Sequence, residues 1–251
     1  MSASEYFTKA GQLIDQIHAT QIDKIRKAGQ AWADTIAAGR AVHLFGSGHS
    51  VIPVMDLFPR YGAYVGLHPI MDPRLMWFNI TGPGGARELL WLERTEDYIN
   101  QVLLSHHLVP QDTMTVYSHG GLNAAPVEMA LAARERGLTV ICVTCGTNRE
   151  LNEPTHSSGK SLHDIGDIVI DNCCPPEDAL IPVAGRPEKV GASSTLAAVV
   201  ISMALLAETT SELVKRGATP ERIFVSPNVP GVSPDNNMQV FRDYMAFEES
   251  L

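Results

Sequence analysis

The chain is short of positive charge. Its 251 residues carry 19 lysines and arginines against 28 aspartates and glutamates, a formal net charge of −9 at pH 7. That balance argues against the basic surface of a nucleic-acid binder, so no nucleic-acid partner is expected. It also gives an anionic ligand no help from the overall field, and any phosphate must rely on local amides and hydroxyls. No uninterrupted apolar run has the length of a membrane span, and no membrane partner is expected. The start, Met1-Ser2-Ala3-Ser4-Glu5, has no basic stretch followed by an apolar one, which predicts no signal peptide and a cytoplasmic location. Cysteines are few: Cys142, Cys145, Cys173 and Cys174. The C-x-x-C spacing of Cys142 and Cys145 ends an apolar run instead of opening a helix. It has no second pair, so buried thiols are the expectation. No Walker motif is present, and the chain shows no internal repeat, low-complexity tract or linker. A single domain over residues 1–251 is expected.

What is present is an alternation of apolar strand-like runs with helical patterns. Strands are predicted over 41–45, 63–67, 113–117, 139–143 and 168–170, several with the nearly continuous apolar character of strands covered on both faces. Helices are predicted over 51–61, 88–108 and 123–136, and a long leading helix over 3–38, capped by Ser4 and ended by Gly39. A further helix over 191–216 is apolar almost all round between Leu196 and Leu206, as in a buried or interface helix. Residues 217–251 read as a proline-rich loop and a last helix over 236–247. The pattern implies a three-layer α/β/α sandwich on a five-stranded parallel sheet.

Two glycine- and serine-rich turns stand out, each between a strand and a helix. The first is Gly46-Ser47-Gly48-His49-Ser50, and the second is Ser118-His119-Gly120-Gly121-Leu122-Asn123. Glycines let backbone close on a ligand, while serine hydroxyls and new helix N–H groups hold an anion. Right-handed crossovers bring such turns to one sheet edge, where ligands bind in open α/β folds. A dinucleotide fingerprint does not fit, because Val51 stands where the third glycine belongs and no acidic residue ends the second strand.

The order of motifs resembles the sugar isomerase (SIS) family of phosphosugar-binding domains, over about residues 31–216. Gly46, Gly48 and Ser50 match the family pattern G-x-G-x-S. Ser118 and Gly121 match S-x-S-G-x-T, with Gly120 in place of the second serine and Asn123 in place of the threonine. Pro187 to Thr195 resembles the P-E-x-x-x-A-S-T segment of the isomerase domain of glucosamine-6-phosphate synthase, whose glutamate is the proton-transferring base. Leu92 to Asp97 resembles an acidic segment of N-acetylmuramic acid 6-phosphate etherase. As a whole the chain looks like a stand-alone branch near that etherase and phosphoheptose isomerase.

The resemblance implies a sugar phosphate ligand held by Ser47, Gly48, Ser50, Ser118, Gly120, Gly121, Asn123, Ser193 and Ser194. It implies an aldose–ketose isomerase with Glu188 as base and His119 or His49 assisting ring opening. A lyase using Glu93 or Glu96 is the first alternative, and a non-catalytic phosphosugar sensor the second. A regulator with its own DNA-binding unit is disfavoured, since residues 1–38 hold only one helix. No cofactor or metal is required, because hydrogen-bond donors can polarise a carbonyl. His156 and His163 form no tight cluster, His106 and His107 read as a solvated helix end, and His43 reads as a satisfied core residue. The apolar helices, and the habit of relatives to build sites between subunits, predict at least a homodimer.

Overall fold

A computed structural model describes residues 2–251. In chain order its elements are α1 (Ala3–Ala37), β1 (Val42–Gly46), α2 (Val51–Leu57), β2 (Leu67–Ile70), α3 (Ala86–Leu92), α4 (Tyr98–Leu103), β3 (Thr113–Tyr117) and α5 (Ala124–Glu135). There follow β4 (Thr139–Thr144), α6 (Gly146–Leu151), α7 (Leu162–Ile165), β5 (Ile168–Asp171), β6 (Ala179–Pro182), β7 (Lys189–Ala192), α8 (Ser194–Lys215) and α9 (Asn236–Glu249). Five strands form one parallel sheet in the order β2-β1-β3-β4-β5, with helices on both faces. Every residue of β1 and β3 is buried, which is why these runs are mostly apolar on both faces.

Alternate side chains of the strands feed two cores. Val42, Leu44, Ile141 and Val143 face α1, α2 and α8. Phe45, Met114, Val116 and Val140 face the layer of α3, α4, α5 and α7. Polar groups inside are paired: the Trp32 indole donates to Thr115 Oγ1 at 3.0 Å, and Ser202 Oγ donates to Tyr117 Oη at 2.9 Å. Helix α8 is apolar and long enough to cross a membrane by length and composition. Here it packs along α1, with Ile201, Leu205 and Leu213 fully buried.

The strand order places a topological switch between β1 and β3. From β1 the chain moves outward to β2, and from β3 it moves the other way to β4. The connections therefore part above the carboxyl ends of β1 and β3, leaving a crevice there. Gly46 pairs with Tyr117 at that edge, so both glycine turns leave the sheet side by side.

Several elements differ from expectation. The second strand is 67–70, not 63–67; Pro69 is tolerated because β2 lies at the sheet edge. Helix α2 stops at Leu57, since Pro59 drives Phe58 into extended backbone. The predicted 88–108 helix is two short helices. Asp97 sits between them with φ +68°, and the Glu128 carboxylate accepts from the amides of Asp97 and Ile99. The cap of α1 is Ser2, not Ser4. Residues 179–192 form an antiparallel hairpin the sequence did not announce, so α8 begins at Ser194 instead of 191.

Candidate functional site

The crevice holds a cleft of about 280 Å³, near the lower end of small-molecule sites. Turn 46–50 forms one wall, turn 118–123 another, and Trp77, Leu89 and Leu90 a third. The backbone needs glycine at two points. A Cβ on Gly46 would lie 2.1 Å from the Ser50 carbonyl oxygen, so only glycine lets the first turn close. Gly121 has φ +67°, and a Cβ there would lie 2.4 Å from Thr144 Oγ1. Gly120 differs: a Cβ would meet nothing within 4 Å, because the position faces the open cleft. Gly121→Ala should therefore cost about 2–3 kcal/mol in chemical denaturation and Gly120→Ala well under 1. Equal losses would mean that the turn relaxes.

Glu93 links the two turns. Its Oε2 accepts from Ser47 Oγ at 2.9 Å, and its Oε1 accepts from Asn123 Nδ2 at 2.9 Å. Its backbone oxygen accepts from the Ala125 amide at 3.0 Å, so main chain and side chain are both held. The residue is 7 % exposed. Burial pushes the Glu93 carboxyl above its ordinary range, against the Ser47 hydrogen bond and the nearby Arg94. A buried carboxyl facing a cleft, with its proton held more tightly than usual, has the character of an acid–base group. The cleft lining contains two carboxylates, Glu93 and Asp178, and neither lysine nor arginine.

The other expected residues divide. Gly48, His49, Ser50, Ser118 and Gly120 line the same cleft. Ser118 Oγ accepts from the Gly121 amide at 3.1 Å, which leaves its own O–H to donate to a ligand. His49 is exposed, and its ring lies 4.6 Å from that of Trp77. His119 lines the cleft but is tied. The Cys174 amide donates to Asn172 Oδ1, so the Asn172 Nδ2 group faces His119 Nδ1 at 3.2 Å. Nδ1 is thus the acceptor, and Nε2–H donates to the Pro176 carbonyl at 3.2 Å. This imidazole orients the 172–176 segment and has no nitrogen to spare for a ring oxygen.

Ser193 and Ser194 are also occupied. Both amides and both hydroxyls donate to the Asp178 carboxylate, which sits on the start of α8. Glu96 is exposed and turned away from the cleft. Its carboxylate accepts from the Ser157 amide at 2.8 Å and from the Ser157 hydroxyl, and these bonds hold it below its ordinary range. Glu188 stands at the tip of the β6–β7 hairpin, outside the cleft lining. Its side chain is 61 % exposed, and a 2.9 Å bond from Arg186 Nε holds its carboxyl low. Fold and site thus bring Glu93 to the two turns and leave Glu188 and Glu96 elsewhere. Sequence reasoning passed over Trp77 and Asp178; an aspartate in a proline-rich loop carries no local sign that it will cap a helix sixteen residues on.

Comparison with known proteins bears on this arrangement. The family model described as SIS domain matches residues 5–145. The chain is 32% identical over 242 residues to a UPF0309 protein of Caldanaerobacter subterraneus, covering 95% of this chain and 96% of that one. It is 33% identical over 237 residues to a UPF0309 protein of Listeria monocytogenes, covering 94% of each. Among solved structures it is similar to the sugar isomerase domain of an RpiR transcription factor from Sphaerobacter thermophilus, with 16% identity, a TM-score of 0.45 and 97% of each chain covered.

Proposed function

The chain belongs to the SIS domain family, and from that premise we propose that its cleft binds a phosphorylated sugar and moves a proton on it, with Glu93 as the acid–base group. The observation that carries this reading is the buried Glu93 carboxyl, held between the two glycine turns by Ser47 and Asn123. The phosphate is held by the Ser50 and Ser118 hydroxyls and the backbone around Gly120, in keeping with a cleft that has no basic side chain. The sugar then lies toward Glu93 and the His49–Trp77 pair. Isomerisation between aldose and ketose follows if Glu93 takes the C2 proton and returns it to C1. Oxygens of the sugar meet hydroxyls and amides, with His49 the imidazole left to act on them.

A second reading, elimination of an ether, has one observation in its favour. Of the two carboxylates lining the cleft, Glu93 belongs to the segment resembling the etherase, and Glu188, from the isomerase-like segment, does not line it. The same base serves both reactions, since each begins by removing a proton beside a carbonyl. Turnover in D₂O separates them: isomerisation puts deuterium on C1 or C2 of recovered sugar, and elimination releases a second product. A panel of sugar phosphates against the parent sugars, read by thermal shift, tests the binding step. Equal response to both sets would sink the phosphate reading. Binding without any turnover would leave a sensor.

Gly120 offers a sharper probe. Gly120→Ser restores the family hydroxyl at a position with room for it. The added O–H is expected to tighten sugar phosphate binding about 3–10-fold, with little change for unphosphorylated sugar. A variant with unchanged affinity would mean that the phosphate sits away from this turn.

A further inference from the structure

A second cavity, of about 330 Å³, lies between α1, residues 173–175 and the β6–β7 hairpin. Lys9, Gln12, Leu13 and Gln16 line it from α1. Their spacing follows the helical repeat, so one face of α1 carries them all. Two clasps hold this face against the opposite wall. Before it, Tyr6 Oη donates to the Ala192 carbonyl at 2.7 Å, and beyond it Thr20 Oγ1 meets Cys173 Sγ at 3.6 Å.

The lining is opposite in charge to that of the cleft. It contains Lys9 and Lys189 and no carboxylate, in a chain of net charge −9. Lys189 is paired with Glu177, which lies outside the lining. The Lys9 ammonium is half-buried and has no hydrogen bond or ion pair among the described residues. The side-chain amides of Gln12 and Gln16 and the Thr147 hydroxyl are likewise unbonded among them. Leu13, Pro175 and Leu180 add apolar surface. An unpaired cation with amides and a hydroxyl beside apolar surface is the lining that a small polar anion needs.

One short segment serves both cavities. Cys173, Cys174 and Pro175 line this one, and Asp178 lines the cleft. Beside them, Asn172 and the Pro176 carbonyl hold His119 of the second glycine turn. Cys173 and Asp178 have φ +57° and +55°, a left-handed backbone that residues with side chains seldom adopt. A ligand that fixes residues 173–175 therefore also fixes the groups that hold His119. We propose that this cavity binds a small organic anion, with its phosphate or carboxylate on Lys9 and its hydroxyls on Gln12, Gln16 and Thr147. The anion is an effector: it steadies the second glycine turn through residues 172–178.

The test titrates the full chain with citrate and with fructose 1,6-bisphosphate, and with glucose as the neutral control. Lys9→Gln should weaken the anion by about tenfold or more, the loss of one charged hydrogen bond. Lys27→Gln, at an exposed lysine further along α1, should change nothing. Lys9-dependent binding of citrate alone assigns a carboxylate ligand, and of the bisphosphate alone a phosphate. In wild-type protein the anion should slow acetylation of Lys9 and not of Lys27, as mapped by mass spectrometry; this measurement stands even if a variant does not fold. Amide hydrogen exchange should slow over residues 173–178 and also over 118–123. None of these readouts needs turnover, so the site stands or falls apart from the sugar phosphate reading of the cleft. Binding of neither anion, or binding weakened by Ser118→Ala and not by Lys9→Gln, would overturn the site. Slower exchange over 173–178 with none over 118–123 would overturn the effector role.

Discussion

Replacing Glu93 with glutamine is expected to give a more stable protein that has lost its turnover. The carboxyl is buried, and desolvation raises its pKa. At neutral pH the native state therefore bears part of the cost of a charge out of water. Glutamine removes that charge and nearly keeps the shape. Its oxygen can still accept from Asn123 Nδ2, and its amide can donate to Ser47 Oγ, whose hydroxyl can reverse its role. A gain of about 1 kcal/mol, a Tm rise of about 2–4 °C for a chain of this size, is expected. Turnover of the sugar phosphate should fall by about 10²–10⁴, because the amide cannot take up the proton that the carboxylate accepts. Ligand affinity should change little. Glu188→Gln should alter neither stability nor rate by a comparable amount, its side chain being exposed at a hairpin tip.

The pH dependence has a definite sign. Glu93 holds its proton more tightly folded than unfolded. Between the unfolded and folded values the native state binds the extra proton, so stability rises as pH falls through that window. The advantage of Glu93→Gln over wild type should be full above the folded pKa and shrink on acidification. The rate should rise with pH through that same pKa, as the base form appears. An advantage that grows toward acid would place the proton elsewhere.

Much of this was legible in the chain because local chemistry decided it. Strands β1, β3 and β4 are buried on both faces and read as apolar runs. Gly46 and Gly121 mark real turns because backbone geometry there admits no Cβ. The role of Glu93 was half visible: the acidic segment drew notice, but its predicted continuous helix would have turned the carboxylate along a surface. The break at Asp97 depends on Glu128, thirty-one residues later, and no window of sequence contains that bond. Glu188 shows how local context diverges from a motif. A short motif match fixed attention on it, while its neighbours build an exposed hairpin with an Arg186 pair. His43 was expected to be satisfied, and one of its two nitrogens is not. His106, expected at a solvated helix end, lies in a cavity because α4 stops at Leu103.

Asp178→Ala is expected to cost about 2–4 kcal/mol and to create an anion site that wild type lacks. Asp178 has φ +55°, an uncommon conformation for a residue with a side chain. Its carboxylate accepts four bonds from Ser193 and Ser194, at 2.6–3.2 Å, on the amino end of the 22-residue α8. Loss of the cap strands the buried Ser193 and removes a negative charge from the positive end of the helix. Tm should fall by about 5–10 °C. Asp178→Asn keeps an acceptor and loses only the charge, so it should lose less than half as much. Inorganic phosphate should then recover more of the stability of Asp178→Ala than it adds to wild type, because the vacated helix end presents the same four donors to it. Equal responses to phosphate would show that the carboxylate does not stand in an anion's place. The outcome also decides how Ser193 and Ser194 act. If Asp178 owns their donors, Ser194→Ala should lower Tm while leaving sugar phosphate affinity intact, and the phosphate of the ligand belongs to the turn at Ser118 and Gly120.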